Sequence, residues 1–262
     1  MISLQEESLV CCKTRPLPPL SSMHNLRGYG KFIKKVFYGN NMWIACTSNN
    51  DGIYWSTDGK TWTKGTGSNT SYSFNYAHYA AGLWVAGSAG EGLWWSSDGK
   101  AWTKGTGDHS RANVSSIYYA NNLWVVSDNY TAVSSDGKNW TQVTTNVGST
   151  CAYFANGMWI ATRATGLMYN LQANSDSWTE ISNAPSITFN FVTYANGIWI
   201  ACGTQLWWSY DGFNWVPAGG ISTVHYNYNF KCIKYANGTW VVGSDNGHGL
   251  LYSNISNIEL TE

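Results

Sequence analysis

Residues 194–215 read Tyr194-Ala-Asn-Gly-Ile-Trp-Ile-Ala-Cys-Gly-Thr-Gln-Leu-Trp-Trp-Ser-Tyr-Asp-Gly-Phe-Asn-Trp215. The order is an aromatic strand end, an Asn-Gly pair, a Trp-led apolar strand, a short polar gap, a second Trp-rich strand and a Ser-x-Asp-Gly-x-x-Trp turn. Both residues of a two-residue Asn-Gly loop take positive φ, so the pair predicts a tight hairpin between its flanking runs. The pattern recurs along the chain. Its leading tryptophans are Trp43, Trp84, Trp124, Trp159, Trp199 and Trp240, about 35 to 41 residues apart. Each follows a turn pair: Asn40-Asn41, Ala81-Gly82, Asn121-Asn122, Asn156-Gly157, Asn196-Gly197 and Asn237-Gly238.

A third strand is expected over Gly52–Trp55, Gly92–Trp95 and Gln205–Trp208, and a fourth begins at Trp62, Trp102, Trp140, Trp178 and Trp215. All sixteen tryptophans sit at repeat positions, where large flat side chains fill the space between twisted sheets. No helical periodicity interrupts this, and Gly, Asn, Ser and Thr break the chain every few residues. Four strands per copy and a period near 40 predict an all-β chain, a β-propeller of six four-stranded blades, with seven as the alternative. The last copy lacks a Trp-led fourth strand, so the ring is expected to close by shared termini, using Ile258–Leu260 or part of residues 1–30. Residues 1–30, with the Pro-rich Arg15–Leu20, form a leader, an attachment or closing segment, and residues 31–262 form the propeller.

The turn itself recurs as Ser56-Thr-Asp58-Gly-Lys-Thr-Trp62, Ser96-Ser-Asp98-Gly-Lys-Ala-Trp102, Ser134-Ser-Asp136-Gly-Lys-Asn-Trp140 and Ser209-Tyr-Asp211-Gly-Phe-Asn-Trp215. The carboxylate accepts turn amides, the glycine supplies positive φ, and the tryptophan folds back to shield them. These residues read as staples and not as catalysts. The pattern resembles the Asp-box (BNR) repeat of sialidase-like β-propellers over residues 32–254, with one residue fewer between Asp and Gly than is usual there. The resemblance implies that the turn joins the third and fourth strands, on the face away from the ligand site. The fourth copy keeps only Ser175-Asp-Ser-Trp178, and the sixth has Ser253-Asn-Ile255.

Composition narrows the function. Acids and bases balance at 15 each, and only 11% of residues are charged, which argues against nucleic acid or an anionic membrane as partner. No apolar run is long enough to span a bilayer, and Met1–Leu9, carrying Glu6 and Glu7, has no signal-peptide core. Cys46, Cys151, Cys202 and Cys232 fall at apolar strand positions and read as small buried hydrophobes. A sialidase needs three arginines around the substrate carboxylate, whereas the chain has four in all, Arg15, Arg27, Arg111 and Arg163. A glycosidase needs two facing carboxylates, and the acids left over from the turns, among them Asp51, Glu91, Asp128 and Asp245, lie in different blades. No His or Cys spacing suggests a metal, and no cofactor motif occurs. The chain is therefore expected not to be an enzyme.

The loops opposite the Asp-Gly turns are rich in Tyr, Asn, Ser, Gly and His, the composition of adaptable binding loops. The expected ligand-binding residues are Tyr72, Tyr76, His78, His109, Arg111, Tyr130, Arg163, Gln205, His225, Tyr226, Tyr228 and His248. The partner is expected to be a glycan or host-surface receptor, or another virion protein. Tandem turns of this kind look like modules of bacteriophage tail or virion proteins, implying a virion or extracellular location after cytoplasmic synthesis. An assembly scaffold and a glycoside hydrolase are the two alternatives.

Overall fold

The structure is a computed structural model that describes residues 32–67, 72–107, 113–127, 131–143, 148–171, 178–219, 229–245 and 249–254. The leader lies outside these, and every described strand belongs to Lys31–Glu262. The first sheet comprises β1 (Ile33–Gly39), β2 (Met42–Thr47), β3 (Ile53–Ser56) and β4 (Thr63–Lys64). A short β5 (Thr66–Gly67) precedes β6 (Phe74–Ala80), β7 (Leu83–Ser88), β8 (Leu93–Ser96) and β9 (Ala101–Lys104). Likewise β10 (Thr106–Gly107) precedes β11 (Ser116–Ala120), β12 (Leu123–Ser127), β13 (Ala132–Ser134) and β14 (Asn139–Gln142). The fourth sheet is β15 (Ala152–Ala155), β16 (Met158–Arg163), β17 (Gly166–Asn170) and β18 (Thr179–Glu180). The fifth is β19 (Phe189–Ala195), β20 (Ile198–Gly203), β21 (Leu206–Ser209) and β22 (Val216–Pro217), and the sixth is β23 (Phe230–Ala236), β24 (Thr239–Ser244) and β25 (Leu250–Asn254).

Apart from a parallel edge strand in two of them, the sheets are antiparallel meanders in sequence order, and among the described residues the last has three strands. The first two strands of every sheet are joined by the expected turn. All twelve turn residues have positive φ, from Asn40 at 47° to Gly197 at 81°, as two-residue hairpin loops require. One position out from each turn, an aromatic residue pairs across the hairpin with the leading tryptophan. Tyr38 meets Trp43 at 4.7 Å between ring centroids, Tyr119 meets Trp124 at 4.9 Å, and Phe154 meets Trp159 at 5.3 Å.

Two sheets depart from the expected four strands. β5 runs parallel to β9, and β10 runs parallel to β14, so the end of one repeat pairs onto the outer edge of the next sheet. Gly67 and Gly107 make this possible, because a Cβ at either would run into the carbonyl of Trp102 or Trp140.

The Asp-Gly turns behave as the sequence implies, with the serine as their fulcrum. Ser134 Oγ donates to Asp136 Oδ1 at 2.9 Å and accepts from Gly137 N–H at 2.8 Å. Asp136 Oδ1 also accepts from the amides of Lys138 and Asn139, both at 2.8 Å. The same network forms around Asp58, Asp98 and Asp211. The glycine of each turn lies against the indole of the leading tryptophan: a Cβ at Gly137 would come within 3.1 Å of Trp124 Nε1. The closing tryptophan caps the turn where Trp215 Nε1 donates to Gly212 O at 2.9 Å.

The core is divided among the junctions between successive sheets. One face of each sheet carries the leading tryptophan, the closing tryptophan and a small residue beside them. It packs on the aliphatic face of the sheet before it. Trp84, Trp102 and Ala86 lie on Met42, Ile44 and Ile53; Trp124 and Trp140 lie on Leu83, Val85 and Leu93. The series continues with Trp159 on Leu123 and Val125, Trp199 on Met158 and Ile160, and Trp240 on Ile198 and Ile200. Among the described residues, the two ends of the series are more exposed. Trp43 is 37% exposed, with Ile33 and Val36 beside it, whereas the other five leading tryptophans are at 3% or less. On the last sheet Leu250 and Tyr252 are 74% and 78% exposed. The same asymmetry corrects one expectation for the cysteines. Cys46, Cys151 and Cys202 are buried free thiols, but Cys232 is exposed, because it occupies the position of Cys151 on a sheet with no following neighbour.

Deleting a fully packed tryptophan costs about 3 to 5 kcal/mol. Trp124→Ala is expected to lose about that much in urea unfolding followed by circular dichroism, and Trp43→Ala less than half of it. The turn carboxylates set the acid limit. Slight burial works upward on Asp136 and Asp211 and is outweighed by the turn amides, leaving both at about 2; amide bonds from Thr61 and Lys60 hold Asp58 well below the carboxylate range. Folded values below the ordinary value of about 3.9 stabilise the protein above that pH, and this is lost as pH falls toward 2. The melting temperature is expected to drop between pH 4 and 2, and less steeply in Asp136→Asn/Asp211→Asn.

Candidate binding face

Strand direction fixes where the variable loops lie. The hairpin turn and the Asp-Gly turn share one end of each sheet, since Trp43, just after its turn, pairs with Ser56, which opens the Asp-Gly turn. The starts of β1, β6, β11, β15, β19 and β23 therefore lie at the opposite end. These first strands also touch one another in series, β1 to β6, β6 to β11, β11 to β15, β15 to β19 and β19 to β23.

At that end four of the first strands carry the same β-bulge. Pairing skips between Ile33 and Lys35, Phe74 and Tyr76, Phe189 and Phe191, and Phe230 and Cys232. The skipped residues are Lys34, Asn75, Asn190 and Lys231. A bulge adds one residue without a ladder partner and re-aims its side chain. Here it keeps Phe74 and Ala77 both in the core, three positions apart, while freeing a polar side chain between them.

The freed side chains bond from sheet to sheet. Lys34 Nζ donates to Asn75 Oδ1 at 2.6 Å, and Asn75 Nδ2 donates to Asn113 Oδ1 at 2.7 Å. Thr150 Oγ1 donates to Asn190 O at 2.9 Å. Asn190 Nδ2 donates to Phe230 O at 2.7 Å and to Asn229 Oδ1 at 3.0 Å, and Asn229 Nδ2 donates to Asp245 Oδ2 at 3.1 Å. A hollow of about 270 Å³ opens among Lys34, Lys35, Asn75, Asn113, Val114 and Ser115. That is close to the lower limit for small-molecule sites and gives room for a single sugar residue.

Below this polar rim the first strands are aromatic. Lys35 Nζ lies 4.7 Å from the centroid of Tyr76, which also meets Phe37 at 4.8 Å. His78 stacks on Tyr118 at 6.0 Å, and Tyr118 stacks on Tyr153 at 5.0 Å. Burial pushes the Tyr76 hydroxyl up to about 12 and His78 down to about 4, so both are neutral at pH 7.

The expected binding residues divide accordingly. Tyr76 and His78 are brought together on β6 beneath the rim. Tyr72 is half-buried against Trp94, 5.2 Å away, and Gln205 Oε1 accepts from Trp207 Nε1 at 3.0 Å. Arg163 ends β16 in an ion pair with Glu180 at 3.7 Å. His109, Arg111, Tyr130, His225, Tyr226, Tyr228 and His248 lie outside the described residues. The rim residues Lys34, Asn75, Asn113, Asn190, Asn229 and Lys231 were not expected. Their signal was present: a polar residue breaks the alternation in Phe74-Asn-Tyr-Ala77, Phe189-Asn-Phe-Val192 and Phe230-Lys-Cys-Ile233.

The loop carboxylates are paired within their own sheets. Asp51 lies 3.6 Å from Lys64, Glu91 3.8 Å from Lys104 and Asp245 3.4 Å from Lys231. Asp128 lies outside the described residues. Among the described residues no three His, Cys, Asp or Glu side chains form a metal cluster.

No protein-family model and no curated protein matches the chain. Solved structures do. YCF48 bound to D1 peptide matches with TM-score 0.61 at 14% identity, covering 85% of this chain and 76% of its own. Virginiamycin B lyase from Staphylococcus aureus matches with TM-score 0.60 at 10% identity, covering 80% and 76%. The WD40 β-propeller domain of Doa1 matches with TM-score 0.55 at 10% identity, over 86% of this chain and 87% of that domain. The fold is a β-propeller. Identity this low speaks for the fold alone, because propellers host unrelated functions. The contacting first strands run side by side from sheet to sheet, and the bulged rim is the end of that series away from the Asp-Gly turns. Among the described residues no helix is long and apolar enough to cross a membrane.

The neutral imidazole of His78 gives a second pH window. Its folded value of about 4 lies below the ordinary value near 6.5, so the unfolded chain binds the proton first and stability falls as pH drops from 6.5 toward 4. Melting curves between pH 7 and 4.5 are expected to shift downward for the native chain and to stay nearly level for His78→Asn.

Proposed function

We propose that this propeller is a non-enzymatic binding module that takes a glycan through the face opposite its Asp-Gly turns. The observation that carries the reading is the repeated bulge, which spends a ladder position in four sheets to present Lys34, Asn75, Asn190 and Lys231 at one rim. Bulges are concentrated beside binding and active sites for this reason. Amide and ammonium donors over a wall of tyrosines match the hydroxyls and apolar ring faces of a sugar. The non-enzymatic part of the reading is supported by Asp51, Glu91 and Asp245, each held by a lysine of its own sheet, where a glycosidase would keep two acids facing one bond.

We read the six sheets as six blades of a ring that the chain termini complete, with the first strands lining its axis and the bulged rim at its mouth, and the setting as a virion or extracellular surface, the tail or receptor-binding position that the tandem turns resemble. A protein partner is the second reading, favoured by the likeness to a propeller solved with a peptide bound.

A glycan array is expected to retain the protein on a restricted set of sugars, with no hydrolysis product released on prolonged incubation. Lys34→Ala and Asn75→Ala are each expected to weaken that binding about tenfold, equivalent to about 1.4 kcal/mol, without moving the melting temperature. Empty arrays with folded protein, or full affinity in both variants, would sink the reading.

A further inference from the structure

The charges on the axial strands are one-sided. The chain as a whole is neutral. Yet the six first strands carry Lys34 and Lys35 on β1 and Lys231 and Lys234 on β23, with no Asp or Glu on any of them. Lys231 is balanced by Asp245. Among the described residues, Lys34, Lys35 and Lys234 have no carboxylate within ion-pair distance. Counted from the shared bulge, Lys35 stands on β1 where Tyr76 stands on β6, and Lys234 stands on β23 where His78 stands, so both belong to the side of the first strands that carries the aromatic series. That side carries Tyr76, Tyr118 and Tyr153, and it ends at the rim, where Lys34 and Lys35 line the hollow.

Three unbalanced ammonium groups around one opening attract negative charge, and low-dielectric aromatic walls focus that attraction. Charged groups held this way repel one another in the empty site, a cost that an anionic ligand relieves. Resting on the glycan reading above, we infer that the ligand is an anionic oligosaccharide whose acidic substituents are held by Lys34, Lys35 and Lys234 at the axial mouth. The charge can come from uronate carboxylates or from sulfate esters. Either accepts hydrogen bonds from an ammonium group, which is a point donor without the fixed fork of arginine.

The test is an array of uronate polymers beside the same polymers after carboxyl reduction, and sulfated polymers beside their desulfated forms, with polyglutamate included. Binding is expected to be at least tenfold stronger to the charged member of one pair, and that pair identifies the source. It is expected to weaken as salt rises from 50 to 500 mM, since exposed charge pairs are screened. Lys35→Gln/Lys234→Gln is expected to abolish the preference for the charged member, and Lys60→Gln, at an Asp-Gly turn on the opposite face, to leave it intact. Equal binding to both members of each pair would overturn this inference and leave the glycan reading standing. A preference unchanged in Lys35→Gln/Lys234→Gln would also overturn it. Retention on polyglutamate alone would overturn both in favour of a peptide ligand, and no retention anywhere would remove both.

Discussion

Every junction between neighbouring sheets depends on a tryptophan, whose position is set from three sides wherever its sheet carries an Asp-Gly turn. Its own hairpin places it two positions after a two-residue turn, where the opposite strand offers a tyrosine or phenylalanine to its ring. The Asp-Gly turn of the same sheet lays a glycine against its indole edge. The preceding sheet supplies the aliphatic surface that buries it. None of the three supports suffices alone, because a hairpin is marginal in water and a surface turn contributes little without something to shield. Together they convert a short, weakly hydrophobic repeat into a rigid series. The scarcity of charge follows from the same demand, since nearly every strand has two faces to bury.

With one end of each sheet committed to turns and tryptophans, the other end is left to vary. The bulges show how that freedom is used. They let the first strand satisfy the core at Phe74 and Ala77, or at Phe189 and Val192, while an additional residue faces outward with its amide or ammonium group. The outer edges are treated differently: β5 and β10 cover them with the tail of the preceding repeat, which removes an exposed ladder that would otherwise invite pairing with another chain. Binding chemistry and edge protection therefore occupy opposite margins of the same sheets.

The parts of this architecture that were legible in the chain are those fixed by local chemistry. Asn40-Asn41 and its five counterparts demand positive φ wherever they occur, and Asp136 needs only the next few amides to form its network. What escaped the sequence depends on residues far apart. Pairing of Gly67 with Trp102 joins two repeats, and nothing near Gly67 announces it. Tyr72 and Gln205 carry the composition of binding loops, yet each meets a tryptophan, an encounter set by packing and invisible to composition. The bulges were an intermediate case: the broken alternation was there to be read, but a lone polar residue in a strand acquires meaning only when the same break is seen at the same register in several sheets.

The exposed faces on the first and last sheets have a thermodynamic consequence for such a ring: among the described residues, the junction that closes it lacks the buried tryptophan of the other five. A ring with one weak junction behaves nearly like a one-dimensional lattice, in which interior units are held by two strong couplings and the two units at that junction by one. Thermal opening should then propagate inward from both ends, like the fraying of a duplex, with the third and fourth sheets the last to lose amide protection. Two of the three lysines at the axial mouth stand on one terminal unit and the third on the other. Occupancy there would bridge the two fraying ends, so that a ligand would act less as a local plug than as a boundary condition on the whole lattice, raising the cooperativity of unfolding along with its midpoint.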